Sequence, residues 1–132
     1  MTLHEYQARL NYATGYSCEQ AVFAAFASDM GLSMVGALQR APRHVMRGSS
    51  GGLGGHETCG AYRSGVAVLE AIGANRATRS GEDAVIEFRR LFEEQFGSVE
   101  CGRIRMGRKD CLDVIGMTVR ILERVTVGNA EN

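Results

Sequence analysis

Glu82-Asp83-Ala84-Val85-Ile86-Glu87-Phe88-Arg89-Arg90-Leu91-Phe92-Glu93-Glu94-Gln95-Phe96 decides the fold class of this 132-residue chain. Val85, Phe88, Phe92 and Phe96 recur every three or four positions, whereas Glu87, Arg89, Arg90, Glu93 and Glu94 fall mostly elsewhere. That period lays the apolar side chains along one stripe of an α-helix and leaves the other face solvated. Gly97 follows at once, where helices commonly close on a left-handed residue.

The same period extends on both sides. Downstream, a loop carries Cys101 and ends at Asp110, and a helix over 111–125 buries Leu112, Ile115, Val119 and Leu122. Residues 127–132 are expected to fray. Upstream, a helix over 58–72 puts Val66, Leu69 and Ile72 on one face, with Gly73 behind it. Gly48-Ser49-Ser50-Gly51-Gly52-Leu53-Gly54-Gly55 precedes it, too rich in glycine for regular structure. A segment over 33–39 stops before Pro42, because the residue ahead of a proline disfavours the helical region, and Val45 and Met46 suggest a further short turn. Ser17-Cys18-Glu19-Gln20 reads as a capping box, followed by Ala21, Val22, Ala25 and Phe26 at helical spacing and by Gly31. Residues 2–11 form a short polar helix ended by Gly15. Strand alternation is absent. The prediction is an all-α, compact bundle of about five to six helices with a Gly-rich loop, one domain over residues 1–126.

Composition narrows the function. Fifteen basic residues balance fifteen acidic ones, so no net field recommends nucleic acid or an anionic membrane as partner. No apolar run approaches the roughly 20 residues of a spanning helix. Met1-Thr2-Leu3-His4-Glu5-Tyr6 has neither a basic start nor an apolar stretch behind it, which predicts a cytoplasmic protein. In a reducing cytoplasm, cysteines more often serve metal binding, redox chemistry or plain burial than a disulfide framework.

The four cysteines are Cys18, Cys59, Cys101 and Cys111, with no Cys-x-x-Cys pair among them. Cys18 follows Ser17, Cys59 follows Thr58 and Cys111 follows Asp110, each a good capping residue where a helix is expected to start. First-turn N–H groups lack internal partners and carry the positive end of the helix dipole. A thiolate there is favoured and its pKa is expected to fall; the same donors can bond the sulfurs of a cluster. Burial as simple apolar filler competes for any one cysteine, but three at such positions are harder to assign to filling space.

Gly15-Tyr16-Ser17-Cys18-Glu19-Gln20-Ala21-Val22, Thr58-Cys59-Gly60-Ala61, Phe96-Gly97-Ser98, Cys101 and Cys111 together resemble the redox-active protein family named C_GCAxxG_C_C, which carries four cysteines and a CGAxxG motif. The resemblance covers nearly the whole chain. It departs in one place: Ser64 stands where the motif closes with glycine, and Gly65 comes one position late. The resemblance implies a redox role for all four cysteines, with Gly60 and Ala61 beside the cofactor. It is similar too to the cysteine-bearing part of split-Soret cytochromes, which implies an iron–sulfur cluster. No Cys-x-x-Cys-His is present, so covalent haem attachment is not implied.

Other features are weaker. The glycine run lacks the Gly-x-x-x-x-Gly-Lys-[Ser/Thr] pattern and a preceding strand, so it is not read as a phosphate loop. His56 and Glu57 precede Cys59 and could add a ligand or base, against a surface-loop default. Arg103, Arg105, Arg108 and Lys109 lie between Cys101 and Cys111 and could lower a thiol pKa or dock an acidic partner, against a merely solvated loop. His4 and His44 belong to no constellation. Four readings stay open: electron transfer through an iron–sulfur cluster on the four cysteines, a metal-free dithiol switch with Cys101 and Cys111 the favoured pair, a structural zinc site in an adaptor, and a helical interaction module whose cysteines are core. A redox partner protein and a homodimer are the expected associations.

Overall fold

The structure, a computed structural model, describes residues 1–43, 58–75 and 81–131. Helix α1 spans Leu3–Ala13, with Thr2 accepting the Glu5 N–H at 3.2 Å, and closes on Gly15 at φ 110°. Helix α2 spans Cys18–Ala25. Its capping box forms as the sequence predicts: Ser17 Oγ accepts from Gln20 N at 3.1 Å and Gln20 Oε1 from Ser17 N at 3.2 Å. A 3₁₀ turn at Ser28–Met30 leads to α3, Met34–Arg40, which Ser33 caps. Then come α4 (Gly60–Asn75), α5 (Gly81–Phe96), α6 (Cys101–Arg105) and α7 (Leu112–Glu131). Among the described residues there is no strand, only an isolated antiparallel bridge between Thr58 and Glu100. The all-helical reading holds.

Three boundaries differ from the sequence reading. Helix α6 falls in what periodicity reads as loop, because five residues are too few to show a period; Ile104 is its only buried side chain. Helix α4 starts at Gly60, and the Arg63 N–H bonds the Cys59 carbonyl at 3.0 Å, so Cys59 is itself the cap. Helix α7 likewise starts at Leu112, with Ile115 N–H on the Cys111 carbonyl at 2.8 Å, and it runs past 125 to Glu131. The expected turn at Val45 and Met46, the glycine run at 48–55, His44, His56 and Glu57 lie outside the described residues.

Helices α1 and α2 pack together, α4 lies between α2 and α5, and α7 touches α1, α4 and α5. The stripe predicted on α5 is the aromatic centre. Phe88 and Phe92 are fully buried and meet Tyr62 of α4 at ring-centroid distances of 5.4 and 5.2 Å. Offset aromatic contacts of this kind add to burial itself. The approach of α4 to α5 depends on Gly65, where a Cβ would come 2.3 Å from the Phe88 ring.

Two polar clusters fasten α1 to its neighbours. Glu5, 1% exposed, accepts from Arg9 Nε at 2.9 Å and from Arg120 Nε of α7 at 2.8 Å. His4 stacks on Phe26 and sets one ring nitrogen 2.8 Å from Asp29, the other 2.9 Å from Glu123 of α7. A buried carboxylate is tolerated where its lone pairs are taken by charged donors, which is the role of both arginines here.

Candidate functional site

All four cysteines stand at helix starts. Cys18 is the first residue of α2 and Cys101 the first of α6, while Cys59 and Cys111 cap α4 and α7. None is in a disulfide. Three features of the backbone bring them together. Cys59 N–H bonds the Val99 carbonyl at 2.7 Å, and the Thr58–Glu100 bridge lies beside it, so the start of α4 is fixed against the residues just before Cys101. A Cβ on Gly60 would sit 2.7 Å from Cys18 Sγ, so the sulfur of α2 abuts the residue next to Cys59. Finally, the Cys111 N–H reaches Tyr12 Oη of α1 at 3.4 Å.

The thiols feel one another. Cys18 is within electrostatic reach of Cys59 and Cys111, Cys59 of Cys101 and Cys111, and Cys111 of Cys101. The four helix starts thus lie within electrostatic reach of one another, without a close grouping of three ligating side chains among the described residues. The expected fall in thiol pKa does not occur. Burial is the largest influence on Cys18 and pushes its pKa far up, aided by the Glu19 carboxylate. Burial also raises Cys59, to about 11, although the backbone N–H groups of Tyr62 and Ala61 bond it and pull the other way. Cys111 is raised by burial too, with Arg105 opposing. The cost of desolvating a thiolate outweighs the helix-end donors, a balance that sequence spacing does not carry.

The site has two sides. On the inner side, Cys18 Sγ lies 3.4 Å from Glu19 Oε1, and Glu19, with no exposed surface, pairs with Arg63 at 2.5 Å. Ser64, also fully buried, donates from Oγ to the Glu19 carbonyl at 2.7 Å. On the outer side, Cys101 and Cys111 are half-buried and Arg105 is exposed. The sequence reading missed Tyr12, Glu19, Arg63 and the role of Ser64. Only the capping pattern around Cys18 gave any hint that Glu19 would lie beside a sulfur.

Gly60 serves first as a space: a Cβ there would also come 2.6 Å from Glu19 Cδ. Ala61 is fully buried and offers its N–H to the Cys59 sulfur. Among the described residues, no three His, Cys, Asp or Glu side chains are grouped closely enough to hold a single metal ion. No helix among the described residues is long and apolar enough to cross a membrane.

Neither the curated proteins nor the solved structures yielded a significant match to the chain. The family described as "Putative redox-active protein (C_GCAxxG_C_C)" matches residues 16–125, a stretch that holds all four cysteines, and the chain belongs to that family.

Proposed function

We propose that Cys18, Cys59, Cys101 and Cys111 form one redox site that holds an iron–sulfur cluster and exchanges electrons with a partner protein. The observation that carries this reading is the convergence of four unbridged thiols from four chain segments, with backbone N–H groups aimed at the Cys59 sulfur. Their chemistry suits a thiolate-ligated group. Buried thiols that hold their protons in the free site lose them on ligation, and the ligand's positive charge then offsets the desolvation that raised their pKa. When bound, the cluster would supply a reversible one-electron couple. Cys18 and Cys59 would anchor it from the inner side, Cys101 and Cys111 from the outer. The N–H groups of Ala61 and Tyr62 would stabilise negative charge on the Cys59 sulfur. A single zinc ion requires its sulfurs about 2.3 Å from one point, a tighter gathering than ligands spread over several irons.

Iron and acid-labile sulfide analysis, with a visible spectrum of anaerobically purified protein, tests this. The expected result is a brown protein with charge-transfer absorbance, reduced iron content in each single Cys→Ser variant, and little zinc. A colourless preparation that takes up no iron on anaerobic reconstitution overturns it.

A second reading is favoured by the outer pair, where Cys101 and Cys111 are half-buried and share the charge of Arg105. Without metal, these two thiols would give two electrons and two protons to an organic disulfide. They would form one S–S bond while the oxidant became two thiols. Thiol counting before and after oxidised glutathione should then show two thiols lost, both within the peptides bearing Cys101 and Cys111. Retention of all four thiols removes this option.

A further inference from the structure

The outer side of the site is built on α6 and the start of α7. Arg105 lies four residues after Cys101, which puts the two on one face of α6. The neighbouring arginines have other occupations. Arg103 pairs with Glu100 at 3.6 Å. Arg108 pairs with Asp113, donates to the Ile104 carbonyl at 2.8 Å and lies 5.6 Å from the Phe96 ring centroid. Arg105 instead interacts with sulfur: its charge acts first on Cys111 and next on Cys101, with Tyr12 also in range. Tyr12 accepts the Cys111 N–H, so the corner holding Arg105, Cys101 and Cys111 is closed by α1.

On the inner side the Glu19 carboxylate beside Cys18 is neutralised by its pair with Arg63. At Cys111 the carboxylates of Asp110 and Asp113 oppose Arg105, and Asp113 is itself held by Arg108. Arg105 is thus the cation whose charge acts on both outer sulfurs.

We propose that Arg105 is the positioning residue of this site, a fixed positive charge that draws anionic disulfide-bearing partners to Cys101 and Cys111. The inference does not rest on the cluster reading above. In a thiol exchange at this corner, a cysteine thiol gives its proton to water and its sulfur bonds one reagent sulfur, while the reagent's S–S bond breaks to release the other half as thiolate. A cation beside the reacting sulfur accelerates this for an anionic reagent and leaves a neutral one little affected.

The test uses the full chain and two aromatic disulfides, dithiobis-nitrobenzoate as the anionic reagent and dithiodipyridine as the neutral one. Their rate ratio at one pH cancels any change in thiol ionisation. Arg105→Gln is expected to lower the ratio of anionic to neutral rate about tenfold, Arg105→Lys to keep it within threefold, and Arg103→Gln to keep it within twofold. Peptide mapping should place the lost reactivity at Cys101 and Cys111. An Arg105→Gln ratio equal to that of Arg103→Gln overturns the proposal.

Discussion

Ser64 Oγ and the backbone carbonyl of Glu19 meet at 2.7 Å, and this bond joins the turn of α4 behind Cys59 to the turn of α2 that carries Cys18. The family motif has glycine at this place. Serine is accommodated because its hydroxyl is consumed by a carbonyl on the facing helix rather than left as bulk. Ser64→Ala should cost about 1 kcal/mol, since it removes one buried hydrogen bond from a carbonyl that keeps its place in the α2 helix ladder. Ser64→Gly should cost roughly 1 kcal/mol more, because glycine adds backbone entropy inside a helix. Urea denaturation of the three proteins checks the order, and a Ser64→Gly variant as stable as wild type would contradict it.

Glycines at helix contacts should differ sharply in what they tolerate. Gly60→Ala drives a methyl against Cys18 Sγ and the Glu19 carboxyl, and Gly65→Ala drives one into the Phe88 ring. Each should cost about 1–3 kcal/mol by overpacking, and Gly60→Ala should also lower metal uptake. At Gly116 the obstacle is the Arg9 guanidinium, the far end of a flexible chain. Gly116→Ala should therefore cost less than either, about 1 kcal/mol, the helix-propensity gain offsetting part of the loss as Arg9 is pushed from Glu5. Melting curves of the three variants separate these outcomes.

Acid should weaken the link between α1 and α7. Burial alone would raise the Glu5 pKa, but hydrogen bonds from Arg120 and Arg9 bring the net shift below the ordinary value. A lowered folded pKa contributes stability that is present above the ordinary carboxylate range and is lost as pH falls through the folded value. Glu5→Gln should cost about 3 kcal/mol near neutral pH, by leaving the arginines without their charge partner, and should flatten the acid limb of the stability curve. An unchanged acid limb in Glu5→Gln would assign acid sensitivity to other groups.

The His4 contacts act on the other limb. Burial would lower its pKa, yet Asp29 and Glu123 raise it above the ordinary 6.5. Stability from this histidine is complete below that value and lost as pH rises through the folded pKa. His4→Gln should cost about 1–2 kcal/mol at pH 5 and markedly less at pH 9. A proton NMR titration should show the His4 ring titrating above 6.5 in the native protein; a value below it would contradict the paired geometry.

Much of this architecture is legible in the sequence. The α5 stripe, the Ser17–Gln20 box and the glycines after α1, the 3₁₀ turn and α5 are local features, and local physics fixes them. Three cysteines were readable near helix starts, but only Ser17 is the expected cap; Cys59 and Cys111 cap their own helices, and Cys101 was read as loop. What was not readable depends on partners distant in the chain. Glu5 looks like an ordinary first-turn acid until Arg120 is seen beside it. Glu19 looks like a surface residue of an amphipathic helix until Arg63 and Ser64 cover it. Helix α6 is too short to announce itself, and it is the element that sets Arg105 over Cys101. Thiol pKa values went the opposite way from the helix-end argument because burial is a property of the whole fold.

The Cys59–Val99 hydrogen bond and the adjoining Thr58–Glu100 bridge are made entirely by backbone atoms. These bonds themselves draw on no side chain, so the Cys59 segment stays tied to the residues ahead of Cys101 whatever packing or pairing the side chains of Val99 and Glu100 provide. A link of this kind is indifferent to side-chain chemistry and vulnerable only to a residue that removes the N–H itself, as proline does.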